Sequence, residues 1–223
     1  MRNQFTQRRS RWFTLFVALV LPMLSLGCLQ LDRASPAKRT FRLSAARNAE
    51  KVSGGFDFVL EVSPFRVAPT FEISKLVFRT EENEYELDYY HEFVVLPGEM
   101  ITATIHGWLS RSGVFANVVS PGSLVNAKYV LEGTVSDLYA DVRDPEKPRA
   151  VVELQAYLTT SSAESPSRIL FNRDYREVQV MTGPGPAEFV KSAGVALTSI
   201  LEALEDDLLK LAREMDREQE TRS

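Results

Sequence analysis

Apolar and polar side chains alternate along several segments between residues 56 and 181, and this period of two constrains the fold more than any other feature. The segment EYELDYYHEF (84–93) shows the pattern most clearly. Alternation of this kind is typical of strands in a sheet with one buried and one wet face. We therefore predict that its apolar face is buried and its acidic face is solvated. The predicted buried set is Tyr85, Leu87, Tyr89, His91 and Phe93, and the opposite set is Glu84, Glu86, Asp88, Tyr90 and Glu92.

Similar patterns predict strands elsewhere in the chain. The segments are FDFVLEV (56–62), ISKLVFRT (73–80), VFANVVS (114–120), AKYVLEGTVSDLYADV (127–142), RAVVELQAYLTT (149–160) and SRILFNRDYREVQVM (167–181). RTFRLSA (39–45) is a candidate for a short first strand. EENE (81–84) is a turn, so that strands 73–80 and 84–93 form a hairpin.

Two segments have the three- or four-residue spacing of a helix. The first begins near Pro97 and ends before Gly113, and the second follows TGPGP (182–186). Apolar residues of the second form one stripe over seven turns: Val190, Ala193, Leu197, Ile200, Leu204, Leu208, Leu211 and Met215. We expect this stripe to pack against the sheet rather than to form the seam of a coiled coil, although it also allows self-association. The order of elements predicts an α+β domain with about six or seven strands in a largely antiparallel or mixed sheet and both helices on one face.

The start of the chain has the plan of an export signal. Residues 1–11 contain four arginines and no acidic residue, and the apolar run from Trp12 to Leu26 follows. The run contains Pro22 and is shorter than the roughly 20 residues that a spanning helix needs, so a permanent membrane span is the weaker interpretation.

The only cysteine, Cys28, lies directly after this apolar run. LSLGC (24–28) resembles the lipobox of bacterial lipoproteins, which predicts that a signal peptidase recognises Leu24, Ser25, Leu26 and Gly27. The same resemblance implies that diacylglycerol and acyl chains are attached to Cys28, whose thiolate is the nucleophile. The alternative is an ordinary buried cysteine. With one cysteine, the exported domain has no internal disulfide, and we expect no cofactor beyond the covalent lipid.

Removal of residues 1–27 leaves 22 basic and 30 acidic residues, a net charge of −8. This balance argues against a nucleic-acid partner. The organisation that we predict is a signal peptide (1–27), a lipidated tether (28–55), a single domain (56–217) and a charged tail (218–223).

No catalytic or metal-binding arrangement is found in the sequence. His91 lies on the apolar face of its strand and is expected to be a hydrogen-bonded core histidine, while His106 has no second ligand at i+4. The sequence contains no GxSxG, Walker A or GxGxxG motif. We therefore predict a protein that is not an enzyme, and an exported hydrolase would need a triad that is not found.

Several segments resemble the ABC-type transport auxiliary lipoproteins, the group that contains paraquat-inducible protein C. They are PFRVAP (64–69), LVFR (76–79), YYHEFVVLP (89–97), LSRSGVF (109–115), YVLEGTVSDLYAD (129–141) and AVVELQAYL (150–158), together with the long last helix. The resemblance covers about residues 41–212.

This resemblance implies an outer-membrane lipoprotein on the periplasmic face that works with an inner-membrane ABC transporter (permease and ATPase) and an MCE-domain protein in lipid transport. Leu29, in place of Asp, fits outer-membrane sorting in such lipoproteins. The runner-up is an accessory in lipopolysaccharide or β-barrel assembly, since fold does not settle function. Under the first hypothesis the docking residues are Pro64, Phe65, Pro69, Arg79, Tyr90 and Phe93.

The anchor prediction is tested by Cys28→Ser. We expect the wild type to incorporate labelled fatty acid and to sediment with membranes, and Cys28→Ser to lose the label and become released. Retention of the label by the variant would contradict the assignment of Cys28.

Overall fold

The computed structural model describes residues 37–52, 56–161 and 167–222, so the signal peptide, the lipobox and Cys28 lie outside the described residues. The helices are α1 (Pro97–Ser112) and α2 (Pro186–Arg222). The strands are β1 (Arg39–Phe41), β2 (Phe56–Val62), β3 (Arg66–Val67), β4 (Lys75–Glu81), β5 (Glu84–Phe93), β6 (Phe115–Val119), β7 (Tyr129–Asp141), β8 (Arg149–Thr160) and β9 (Ile169–Val180).

β7 is the strand that joins all parts of the sheet. One of its edges pairs along its whole length with antiparallel β8, which in turn pairs with β9. The other edge pairs in series with three parallel strands: β2 near the start of β7, β3 in the middle and β4 at the end. β6 continues the sheet beyond β2, whereas β5 and then β1 continue it beyond β4. The sheet therefore forks beyond β7 into a β2–β6 arm and a β4–β5–β1 arm.

The predicted α+β class with a long C-terminal helix is confirmed. Nine strands occur in the described residues rather than six or seven, because β1 and β3 have three and two residues and are too short to show a period. The candidate strand over 39–45 ends at Phe41. From Leu43 onward the chain leaves the sheet and contacts α2, where the Ala46 N–H donates to the Thr198 hydroxyl at 3.3 Å.

α1 begins and ends where the sequence predicts. Pro97 occupies the first turn, where its missing N–H costs nothing, and Gly113 ends the helix in the left-handed region with φ 79°. The side chains of one face are buried against the sheet: Met100, Ile101, Ile105, Trp108 and Leu109.

The predicted stripe of α2 covers the sheet. Its residues from Val190 to Leu208 are buried, and Leu211 and Met215 pack against the edge of the core beside Phe58 and Phe115. With 37 residues the helix is about 55 Å long, since each residue adds about 1.5 Å. The apolar stripe of α2 therefore packs against the sheet of this chain, as predicted.

Arg47, Glu205 and Trp108 form a buried polar cluster that joins the segment after β1 to both helices. Arg47 Nε lies 2.8 Å from Glu205 Oε2 and Arg47 Nη2 lies 2.7 Å from Oε1. Trp108 Nε1 also donates to Glu205 Oε2, at 2.7 Å. The Arg47 side chain is only 4% exposed, and its hydrogen bond to Glu205 raises the pKa of the guanidinium. Because each charge is paired inside the protein, the cluster fixes where the two helices meet.

We expect Arg47→Ala to lower the free energy of unfolding by about 3 kcal/mol, because it leaves the Glu205 carboxylate buried without its cation. Urea denaturation of the mature chain measures the loss. Arg173→Ala is the control: Arg173 also pairs with a carboxylate of α2, Asp207, but its side chain is 55% exposed. The Arg173 pair should contribute less than about 1 kcal/mol, because this arginine is exposed and the Tyr175 hydroxyl still donates to Asp207 without it. Equal losses in the two variants would contradict the prediction.

Candidate functional site

The apolar face of β5 is exposed, contrary to the prediction that it is buried. Tyr85, Leu87 and Tyr89 are 38%, 51% and 73% exposed, and of the predicted set only Phe93 is fully in the core. Register explains the difference, because directly paired residues share a face of the sheet. Tyr85 pairs with Arg79, on the face opposite to Phe78, whose ring contacts Phe189 of α2. Tyr85 and Leu87 therefore lie on the face that α2 does not cover, whereas a register shift between Leu87 and Glu92 puts Phe93 on the opposite face, in the core.

The outer edge of β5 is also unpaired over most of its length within the described chain. β1 pairs only with His91–Phe93, so residues 84–87 have β4 on one side and no strand on the other, and residues 88–90 lie in a register shift between the two strands. We call Tyr85, Leu87 and Tyr89, together with this edge, the β5 surface. An exposed apolar strand at a sheet edge is a known mode of partner binding and is otherwise an aggregation hazard.

The acidic face of β5 is solvated at its start and paired near its end. Glu84 and Glu86 are exposed, as predicted. Glu92 lies 2.8 Å from Lys75 Nζ, and this hydrogen bond holds the pKa of the Glu92 carboxyl below its usual value. His91 is half-buried, with Nδ1 2.8 Å from Asp88 Oδ2. His91 thus has a hydrogen-bond partner as expected, although both side chains are half-buried rather than in the core.

Two of the six predicted docking residues lie in the core. Phe65 and Phe93 are each 3% exposed, so their side chains offer a partner very little surface. The Phe65 ring lies directly against β7 at Gly133, where an added Cβ would be 2.4 Å from Phe65 Cε1 and 2.2 Å from the Gln155 carbonyl oxygen. Phe65 therefore fills the fork between the two arms of the sheet.

Arg79 is held within the β4–β5 hairpin. Its guanidinium donates to the carbonyl oxygens of Glu81 and Glu82 and lies 5.9 Å from the centre of the Tyr85 ring. Glu82 also receives a hydrogen bond from Arg143, which pairs with the buried carboxylate of Asp141. This pairing with Arg143 lowers the pKa of the Asp141 carboxyl. These contacts give Arg79 a structural role at the turn.

The other three predicted docking residues are accessible to different degrees. Pro64 and Pro69 are exposed, while Tyr90 is half-buried and its ring lies edge-on to Tyr89, with centroids 5.0 Å apart. Tyr90 is thus next to the β5 surface, whereas Leu87 and Tyr89 themselves were assigned to the core. The signal that could have identified them is that both helices were predicted on one face of the sheet, which leaves no predicted element to cover an apolar strand face on the other side.

A groove of about 630 Å³ lies beside the first half of α1, at the fork of the sheet. Pro64, Phe65, Leu96 and Pro121 form much of its apolar lining, and His106 contributes a polar group. The Phe65 N–H donates to the Thr102 hydroxyl at 2.8 Å, which fixes this wall of the groove to α1. Of the predicted docking residues, the groove brings together only Pro64 and Phe65.

Within the described parts of the chain, no cluster of His, Cys, Asp and Glu side chains has the arrangement of a metal site. The helices of this same region include none with the length and apolarity needed to cross a bilayer.

A family model described as "ABC-type transport auxiliary lipoprotein component" matches residues 41–205. The crystal structure of protein XCC0632 from Xanthomonas campestris, of family DUF330, has a TM-score of 0.64 at 18% identity, covering 81% of this chain and 98% of that one. The crystal structure of an uncharacterized protein has a TM-score of 0.60 at 14% identity, covering 77% of this chain and 99% of that one. No curated protein sequence matches significantly. The two structural likenesses establish the shared fold.

The contact at the fork predicts that Gly133→Ala destabilises the protein by about 2–3 kcal/mol, because the new methyl group must displace Phe65 and the β8 backbone. Thermal or urea unfolding measures the change. Gly183→Ala, where no atom lies within 4 Å of the added Cβ, should stay within about 0.5 kcal/mol of the wild type. A Gly133→Ala protein as stable as wild type would show that Phe65 is not tightly held there.

Proposed function

This chain belongs to the family of ABC-type transport auxiliary lipoprotein components, and we propose that it is the membrane-anchored, non-enzymatic docking component of an ABC system that transports lipid between the two membranes of a diderm envelope. The family match over residues 41–205 carries the assignment to transport. The proposal goes beyond the family match in three respects: the docking role, the lipid cargo and the location at the outer membrane.

The proposed anchor is lipid on Cys28. Several acyl chains hold a protein stably at a bilayer, because each buried methylene contributes about 0.8 kcal/mol. Leu29 after the cysteine favours the outer membrane, which would place the domain on its periplasmic face. No further cofactor is part of this proposal.

The proposed docking site is the β5 surface, and its partner is the MCE-domain protein that connects to the inner-membrane permease and ATPase. The observation that supports it is the exposure of Leu87 and Tyr89 on a strand with an unpaired edge. Burial of such residues stabilises a complex, and the free edge offers main-chain hydrogen bonds. Glu84 and Glu86 beside them would favour a partner surface with basic residues.

Co-purification tests this docking. We expect Leu87→Ser/Tyr89→Ser to reduce the recovered MCE-domain protein at least about tenfold, since aromatic and apolar anchors at interfaces contribute 1 kcal/mol or more each. The lipid anchor and its membrane fraction should be unchanged, because both residues are exposed.

Val178→Ser/Val180→Ser is the matched control. These side chains are 43% and 72% exposed and belong to β9, at a different edge of the sheet. If wild type and Leu87→Ser/Tyr89→Ser recover equal amounts of the MCE-domain protein, docking at the β5 surface is contradicted. Recovery of barrel-assembly or lipopolysaccharide-assembly proteins with the wild type, in place of the MCE-domain protein, would contradict the transport role itself.

A further inference from the structure

A second cavity, of about 410 Å³, lies along α1 and differs in character from the groove at the fork. Arg42 and Arg111 contribute basic groups to its lining, Val94 and Val95 contribute apolar side chains, and Glu99 is the acidic residue of the lining. We call it the Arg42–Arg111 cavity. Guanidinium groups beside apolar side chains match the chemistry of a phospholipid at the level of its phosphate.

Neither guanidinium is used by the fold. Within residues 37–52, 56–161 and 167–222, Arg42 and Arg111 have no salt bridge and no side-chain hydrogen bond. By contrast, Arg47, Arg143 and Arg176 are each paired with carboxylates. The two cations of the cavity are therefore available to an anion from outside.

The structure fixes the positions of both arginines. Arg111 is folded back along α1, with Nη1 3.2 Å from the point where a Cβ of Gly107 would lie, and Gly107 itself lines the cavity. The missing side chain at 107 lets the guanidinium lie against the helix. Arg42 follows directly after β1 and precedes Leu43, which is 1% exposed. The backbone that presents it is thus held on both sides.

The apolar rim is formed by the turn between β5 and α1. Val94 and Val95, which line the cavity, are 55% and 42% exposed, and the next residue, Leu96, which lines the groove at the fork, is 40% exposed. The Val94 N–H donates to the Phe41 carbonyl oxygen at 2.9 Å, so this turn is hydrogen-bonded to the end of β1, the residue before Arg42. Basic and apolar groups are therefore placed side by side at one edge of the cavity.

The distance along the chain to the predicted anchor limits how far this cavity can be from a bilayer. Nine residues separate Cys28 from Lys38, and even fully extended they span at most about 35 Å. Lys38 and Arg39 add two more basic residues just before Arg42, whereas the mature chain as a whole is acidic. Positive charge is thus concentrated in the part of the domain that is covalently closest to the lipid.

We propose that the Arg42–Arg111 cavity binds the phosphate groups of anionic phospholipids in the membrane that holds the Cys28 anchor, with Val94–Leu96 inserted at the interface. The inference rests on the lipid anchor of the proposed function. Basic side chains are attracted to an anionic bilayer surface, and adjacent apolar side chains add affinity by burial. A lipid surface is favoured over a protein partner because the anchor already brings that surface within reach.

Vesicle sedimentation tests the proposal with the mature chain, residues 28–223, carrying Cys28→Ser. The probe is a vesicle of equal parts phosphatidylcholine and phosphatidylglycerol. We expect wild-type side chains to bind it, and Arg42→Gln/Arg111→Gln to weaken binding about 25-fold, since each basic side chain near an anionic surface contributes about fivefold. Lys191→Gln/Arg213→Gln removes the same charge from exposed positions on α2 and should change binding less than about twofold.

Three results would overturn the proposal. The first is an equal loss of vesicle binding in the two double variants. The second is that the protein binds vesicles of phosphatidylcholine alone as strongly as the anionic vesicles. The third is that inorganic phosphate displaces the protein from the anionic vesicles more than chloride does at the same ionic strength. The last result would mean that the cavity binds free phosphate instead of a bilayer.

A second measurement places the turn relative to the membrane. Brominated phosphatidylcholine should quench the fluorescence of Val95→Trp more than that of Val180→Trp, because only the first is at the rim of the cavity. Equal quenching would contradict insertion. Both assays omit the lipid anchor and any transport partner. A negative result would therefore contradict lipid binding by the cavity but would not bear on docking at the β5 surface, which co-purification tests separately.

Discussion

The shared edge of β7 is the constraint on which the rest of the structure depends. Three short parallel strands use this one edge in series, so the sheet forks and neither arm extends along all of β7. At the fork, Phe65 packs against Gly133, and its backbone is hydrogen-bonded to Thr102 of α1. The fork therefore positions α1, the groove beside it and the second arm, at whose outer edge β5 lies uncovered.

The sequence predicted the elements well and their arrangement less well, for a physical reason. Alternation and helical spacing are local, and they located β5, α1 and α2 nearly to the residue. Pairing is not local: nothing near Leu87 indicates that its partner Val77 belongs to an arm that α2 leaves open on one face. The alternation correctly identified an apolar face on β5, but it could not say whether this chain or another molecule covers that face.

The same limit applies to the polar cluster between the helices. Arg47 and Glu205 are 158 positions apart, and each follows the pattern of an ordinary charged residue in its own segment. Only the packing of α1 against α2 brings Trp108 to the carboxylate and removes water from the pair. A buried pair of this kind contributes little net stability compared with apolar packing, but loss of one partner is costly. Its effect is to fix one register of the helices, which holds Arg111 and the groove in place.

β1 connects the two surfaces to which we assign binding. It pairs with the last three residues of β5, so the β5 surface lies on one side of this pairing and the turn Val94–Leu96 lies on the other. Acidic and aromatic residues accompany the first surface, and unpaired basic residues accompany the second. The described chain thus enters the domain through a short strand that is paired with the end of β5. If Cys28 is lipidated as proposed, contact of the basic side with a bilayer would limit the directions in which the β5 surface can point. The anchor and the two arginines together would then orient the proposed docking surface, whose strand is held in the sheet by β4 and β1.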